Sequence, residues 1–101
     1  MKKPIYKLRG KVWLYPGMAG WHFVTLPKKQ SKEIKEMFGG LLRRGWSSIP
    51  VVVTVGTTSW STSIFPDKKA NAYLLPLKNE IRKKEGIARN KMLSYAIEIK
   101  V

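Results

Sequence analysis

Cysteine is absent, and histidine occurs once, at His22. The first absence removes disulfide frameworks, thiol nucleophiles and Cys-ligated zinc. The second removes paired-histidine metal sites and two-histidine proton transfer. Carboxylates are scarce: six Asp and Glu stand against twenty Lys and Arg, a net charge of +14. No glycine-rich phosphate loop and no nucleophile elbow occurs. Long apolar runs are lacking too. The stretch from Gly45 to Pro66 has no charged residue. It is nonetheless too polar for a spanning helix, being interrupted by Ser47, Ser48, Thr54, Thr57, Thr58, Ser59, Ser61, Thr62 and Ser63, with Gly56 midway. Met1-Lys2-Lys3 opens like a secretory leader, but Lys7, Arg9 and Lys11 follow where an apolar segment would be needed. The expectation is a cytoplasmic protein with no membrane contact, no cofactor and no bound metal.

Leu, Ile, Val and Phe supply 27 of the 101 residues, above the range of disordered chains. A chain of this length buries roughly 65% of its unfolded surface, enough for one modest core. One domain over 1–101 is expected, as a monomer.

Tyr6–Tyr15 alternates. Tyr6, Leu8, Gly10, Val12 and Leu14 share one face, and Lys7, Arg9, Lys11, Trp13 and Tyr15 share the other. Period two with β-branched and aromatic residues predicts a half-buried strand. Gly10 on the apolar face points to a bend or a close backbone approach. Pro16–Gly20 is a turn by composition. Trp21–Leu26 is a second strand stopped by Pro27, pairing with the first as a hairpin. Ser31 is a suitable N-cap for a helix near 32–38, with Glu33 in its first turn, Ile34, Met37 and Phe38 at helical spacing, and Gly39-Gly40 as its end. Leu41–Ser48 reads as an arm. Ile49–Val55 is a β-branched run and hence a buried strand. Ser59–Phe65 forms the next strand, closed by Pro66-Asp67, and the two make a second hairpin. Ala72–Leu75 is a short strand stopped by Pro76. A helix over 78–85 ends at Gly86, with Leu77 and Ile81 on its buried side. Met92–Val101 is the last strand, with Leu93, Tyr95, Ile97, Ile99 and Val101 toward the core.

The order is ββαβ-ββαβ, and its halves echo each other. Leu26-Pro27 and Leu75-Pro76 precede the two helices; Gly39-Gly40 and Gly86 follow them. A mainly β fold is predicted: a closed six-stranded barrel with two short helices and pseudo-twofold symmetry. Closure removes the exposed edges that an open sheet would leave.

Several segments resemble a known family. They are Lys11-Val12-Trp13, Trp21–Pro27, Arg44-Gly45-Trp46, Ile49-Pro50-Val51, Thr54-Val55-Gly56, Ser59–Lys68 and Tyr73–Lys78. Together they resemble the family called domain of unknown function 1905 over nearly the whole chain. Ser59–Lys68 followed by Leu75-Pro76-Leu77-Lys78 is the specific part. The resemblance implies a closed six-stranded barrel with two short helices, similar to double-psi barrels. It implies no activity. Longer relatives carry a second, helical domain resembling bacteriocin-protection proteins, for which this chain has no room. The chain departs from the family at Ser47, at Val52 and at Arg89-Asn90, where the family has Gly, a basic residue and Gly-Asp.

Two sets of residues are candidates for function. Residues 1–32 hold eight basic residues and no acid. Lys7, Arg9 and Lys11 share a strand face with Trp13 and Tyr15. Cations interleaved with rings suit single-stranded nucleic acid or another polyanion, since phosphates meet Lys and Arg while bases stack. The plainer reading is a lysine-rich surface that keeps the protein soluble; fifteen Lys against five Arg gives little scope for bidentate readout. The second set is Trp46, Trp60, Lys78 and Arg82, with Tyr73, Arg43 and Arg44 nearby, for a small anionic or aromatic ligand. Its plainer reading is that the two Trp plug the barrel ends. His22 has no carboxylate close to it in sequence, Glu33 and Glu36 share a solvated helix face with Lys32 and Lys35, and Asp67 reads as turn chemistry. No catalytic residue is assigned. A binding module is expected rather than an enzyme.

Overall fold

The computed structural model describes residues 5–17, 20–39 and 48–100. Its elements are β1 (Ile5–Leu14), β2 (His22–Thr25), α1 (Lys28–Ile34), which runs on as a π-helical turn over Lys35–Gly39, then β3 (Ile49–Val55), β4 (Thr58–Asp67), β5 (Ala72–Leu77), α2 (Asn79–Glu85) and β6 (Met92–Ile99). The arm expected over Leu41–Ser48 lies outside the described residues except for Ser48, as does Val101.

The strands close into a barrel in the order β1-β2-β5-β4-β3-β6. Every adjacent pair is antiparallel. Exchanging β1 with β4, β2 with β5 and β3 with β6 leaves that order unchanged. The two ββαβ halves are therefore related by a topological twofold, as the sequence pattern predicts. The pairing does not confirm the double-psi detail.

Two strands make closure work. β1 gives Ile5–Lys11 to β6 and Val12–Leu14 to β2. β4 gives Thr58–Ile64 to β3 and Phe65–Asp67 to β5. Each changes partner part-way along its length, and at each change the wall has a seam. At the β1–β2 seam Gly10 allows a close approach: a Cβ there would sit 2.7 Å from Val24 Cγ2 and 3.3 Å from the Thr25 carbonyl oxygen. The β4–β5 ladder ends at Phe65–Leu74, and there the wall stays open.

The core is the inward set of alternating positions. Val12, Val24, Ile49, Val51, Val53, Ile64, Leu75, Ile97 and Ile99 are fully buried. Ile34 of α1 joins the same cluster, and Trp60 and Ile81 pack at its margin. Gly86 has the left-handed conformation expected of a helix C-cap, φ +66°. Thr58 Oγ1 donates to Glu85 Oε2, which ties the end of α2 to the start of β4.

Four expectations need correction. Ser31 is no cap: the helix begins three residues earlier, behind Pro27, which holds the N-cap position with ψ 145° and accepts the Ser31 N–H at 2.9 Å. Buried Ser31 instead accepts a hydrogen bond from the Tyr73 N–H at 3.0 Å, which fixes α1 to β5. Glu33 is not in the first turn but near the end of α1, because the helix starts at Lys28; Met37, in the i→i+5 hydrogen-bonded continuation, is 55% exposed. Pro76 does not stop β5, which runs on to Leu77. Leu26 N–H donates to Tyr73 O, so residues 73, 75 and 77 direct their backbone groups to β2, and 74 and 76 direct theirs to β4. The β4 ladder has ended by Leu74, so the N–H that Pro76 lacks has no acceptor to serve.

Gly10→Ala is expected to destabilise the protein by about 1–3 kcal/mol, because Val24 is fully buried and has no room to yield. Denaturant unfolding measures this; a midpoint unchanged from wild type would show that the seam is not closely packed. Tyr95 supplies a second test. Its hydroxyl is buried without a hydrogen-bond partner among the described residues, and burial pushes it well above its usual value of 10.0. The unfolded chain therefore loses this proton first, so stability present below pH 10 falls as the pH rises above it. Tyr95→Phe is expected to raise stability by about 1 kcal/mol at pH 7 and to shallow the alkaline loss. Destabilisation at pH 7 would mean that the hydroxyl has a partner.

Candidate functional site

Alternation sorts the barrel wall into an inner and an outer surface. On β1, Leu8 and Val12 point inward, so Lys7, Arg9 and Lys11 emerge outward and are exposed. Alternate side chains on a strand lie about 7 Å apart. Directly opposite them on β6 stand Ala96, Ser94 and Met92, so no carboxylate meets these cations across the strands. Glu98 stands opposite Ile5 instead.

The same outer face continues into rings. Trp13 is half-buried, and its indole N–H donates to Thr25 Oγ1 at 2.9 Å. Tyr15 lies one residue past the end of β1, where its N–H donates to Trp21 O and closes the hairpin. Trp13 is paired with Phe23 across the ladder. Ring centroids lie 5.8 Å apart for Trp13–Tyr15, 5.4 Å for Trp13–Phe23, 5.6 Å for Tyr15–Phe23 and 6.0 Å for Trp21–Phe23. The register carries the surface onward: Phe23 opposes Pro76, and Leu74 opposes both Thr25 and Phe65. Tyr15, Trp21 and Phe65 are 39%, 52% and 45% exposed, so these three offer more free ring than Trp13 does.

Two hollows flank this face. One, of about 580 Å³, is lined by Trp13, Tyr15, Pro66, Asp67, Lys68 and Lys69 among others. Asp67 Oδ1 accepts the Lys69 N–H at 3.1 Å, the turn role read from sequence. The other, of about 670 Å³, fills the open β4–β5 seam between Thr62 and Phe65 on one side and Pro76 and Leu77 on the other, with Trp21, Lys78 and Arg82 on its rim.

The five residues Lys7, Arg9, Lys11, Trp13 and Tyr15 are thus on one continuous surface. Sequence reasoning missed Trp21, Phe23, Phe65, Lys68 and Lys69, which share it. The signal was available for two of them, since Trp21 and Phe23 alternate with His22 and Val24 on the partner strand of the hairpin. Phe65 needed the β4–β5 register. The alternative set does not form one site among the described residues. Lys78 and Arg82 meet at the seam, Trp60 packs against the core, and Trp46 lies outside the described residues. His22 Nδ1 lies 2.9 Å from Gly20 O; a carbonyl only accepts, so this nitrogen carries the proton. Among the described residues no group of three or more Asp, Glu, His or Cys is placed to hold a metal. No helix among them is long and apolar enough to cross a membrane.

The barrel and the positions of the quoted segments in it agree with a sequence profile that matches residues 9–97, that of the domain of unknown function 1905. The chain belongs to this family. The matched span runs from Arg9 in β1 to Ile97 in β6, and so takes in every candidate residue except Lys7. No curated protein matches the chain.

Proposed function

We propose that the protein binds single-stranded nucleic acid in a sequence-tolerant way on the outer face of β1 and β2. The observation that carries this reading is the cationic row Lys7-Arg9-Lys11, free of opposing carboxylates, which leads directly into a cluster of four rings. The roughly 7 Å repeat along a strand is comparable with the phosphate repeat of an extended single strand. Rings at the end of the row provide stacking surfaces that accept any base, and the phosphate contacts carry no base information. Lys68 and Lys69 extend the positive potential past Tyr15. Binding rather than catalysis fits the site, since the carboxylate beside it, Asp67, is engaged by the Lys69 N–H and His22 has a carbonyl, not a carboxylate, at its Nδ1.

Changing Lys7, Arg9 and Lys11 together to Glu is expected to abolish binding of a fluorescent single-stranded oligonucleotide. Changing only Tyr15 to Ala is expected to weaken it by about 1–3 kcal/mol. With the three cations neutralised to Gln, the slope of log affinity against log salt is expected to shallow by about 2, at about 0.7 per lost phosphate contact. The measurement is titration at several salt concentrations beside a lysine-rich control protein of equal net charge. If the wild type binds no more tightly than that control, the row is a solvated surface and the reading fails.

A further inference from the structure

We propose that the open β4–β5 seam is a second binding site, which takes a planar aromatic anion of the nucleotide class. The seam exists because β4 leaves β5 at Phe65–Leu74 while β5 continues alongside β2 to Leu77. The topological twofold makes this the counterpart of the β1–β2 seam, which Gly10 allows to close. Nothing comparable fills the second seam, and the hollow of about 670 Å³ there is within the usual size of a small-ligand pocket.

The lining has two chemistries. Trp21, Phe65, Pro76 and Leu77 form an apolar wall, with Trp21 and Phe65 about half exposed. Lys78 and Arg82 bring two positive charges to the same hollow, and no acidic residue lines it. Arg82 is held without being neutralised. Its Nη2 donates to Gly20 O at 3.4 Å and to Asn79 Oδ1 at 3.2 Å, and its Nε–H has no acceptor among the described residues. A bare inorganic anion leaves the ring wall wet, and a neutral apolar ligand leaves the cations unanswered. A flat ring carrying a phosphate satisfies both, with the ring against Trp21 and Phe65 and the phosphate against Lys78 and Arg82. A free nucleotide and the terminal nucleotide of a strand share this chemistry. The site shares Trp21 with the ring cluster beside β1, but its charges come from Lys78 and Arg82 and not from the row on β1.

The test is an NMR titration of the protein with adenosine monophosphate, with adenosine and with inorganic phosphate. It is followed through the Trp indole signals, that of Trp21 being assigned from Trp21→Phe. Saturable movement of the Trp21 signal by adenosine monophosphate is expected, with affinity at least about tenfold weaker for adenosine or phosphate alone. Arg82→Gln is expected to weaken the nucleotide at least about tenfold, and Lys78→Gln serves as the second variant should Arg82→Gln fold poorly. An unmoved Trp21 signal, phosphate binding as well as the nucleotide, or charge variants that bind like wild type would each overturn the proposal. The variant with Lys7, Arg9 and Lys11 changed to Gln separates the two readings. If it retains adenosine monophosphate but loses the oligonucleotide, both sites stand; if wild type binds the oligonucleotide but not the nucleotide, only the seam falls. In the same variant, movement of Trp21 by an oligonucleotide bearing a terminal phosphate marks a strand end as the source, and movement by the mononucleotide alone marks a free nucleotide.

Discussion

The six strands close into a cylinder through two long ones that span both halves of the wall. They are β1 and β4, each with seven residues paired to one neighbour and three to another. A strand that changes partner must bend, and where it leaves one neighbour the ladder is interrupted. The two seams that result are therefore products of closure. Their different fates follow from single side chains. At one, the missing Cβ of Gly10 lets Val24 and the Thr25 carbonyl come into contact. At the other, the β4–β5 ladder ends at Phe65–Leu74 and no comparable close approach follows, so the gap persists as a hollow.

The strands were legible in sequence where burial is local in its signature. Ile49–Val55 is β-branched at every position but Pro50 and forms β3 with those same bounds. The alternation from Leu93 to Ile99 predicts the inner face of β6, which is buried as expected. The topological twofold was legible too, from paired Leu-Pro steps and glycine stops. What could not be read was anything set by a partner distant in sequence. Ser31 looks like a cap because Ser is a good cap, but its partner is the Tyr73 N–H, 42 residues on. Pro76 looks like a strand stop because a central strand needs every N–H; it is tolerated because the adjacent ladder ends two residues earlier. For the site, the row Lys7-Arg9-Lys11 was plain from period two. The seam hollow was invisible, since its walls come from residues 20–22, 62–65 and 76–82 and are brought together only by the strand order.

Electrostatics shapes the outer surface as strongly as burial shapes the inner one. Charge of +14 on a small barrel repels itself, and the chain spreads that repulsion around its circumference. Lysines from α1 and its π-helical continuation border a further hollow of about 620 Å³. The row on β1 lies beside neutral residues of β6, and Lys78 and Arg82 edge the seam. Two such surfaces brought face to face would meet with like charge.

Exposed rings sharpen this argument. Tyr15, Trp21 and Phe65 lose part of the gain that burial brings, about 25 cal/mol per Å² of apolar area left in water. Scattered apolar residues on a surface need no explanation, but rings gathered on one wall and bordered by cations are a different matter. Solubility alone accounts for lysine; it does not account for three half-exposed rings beside them. The fold could have placed polar side chains at these outward positions, as β4 does with Ser59 and Ser61. The combination of cations that face no carboxylate across the β1–β6 ladder with open ring faces is the arrangement behind the proposed anionic, aromatic partner. Nucleic acid meets both conditions along a strand, and a nucleotide meets both within one small hollow.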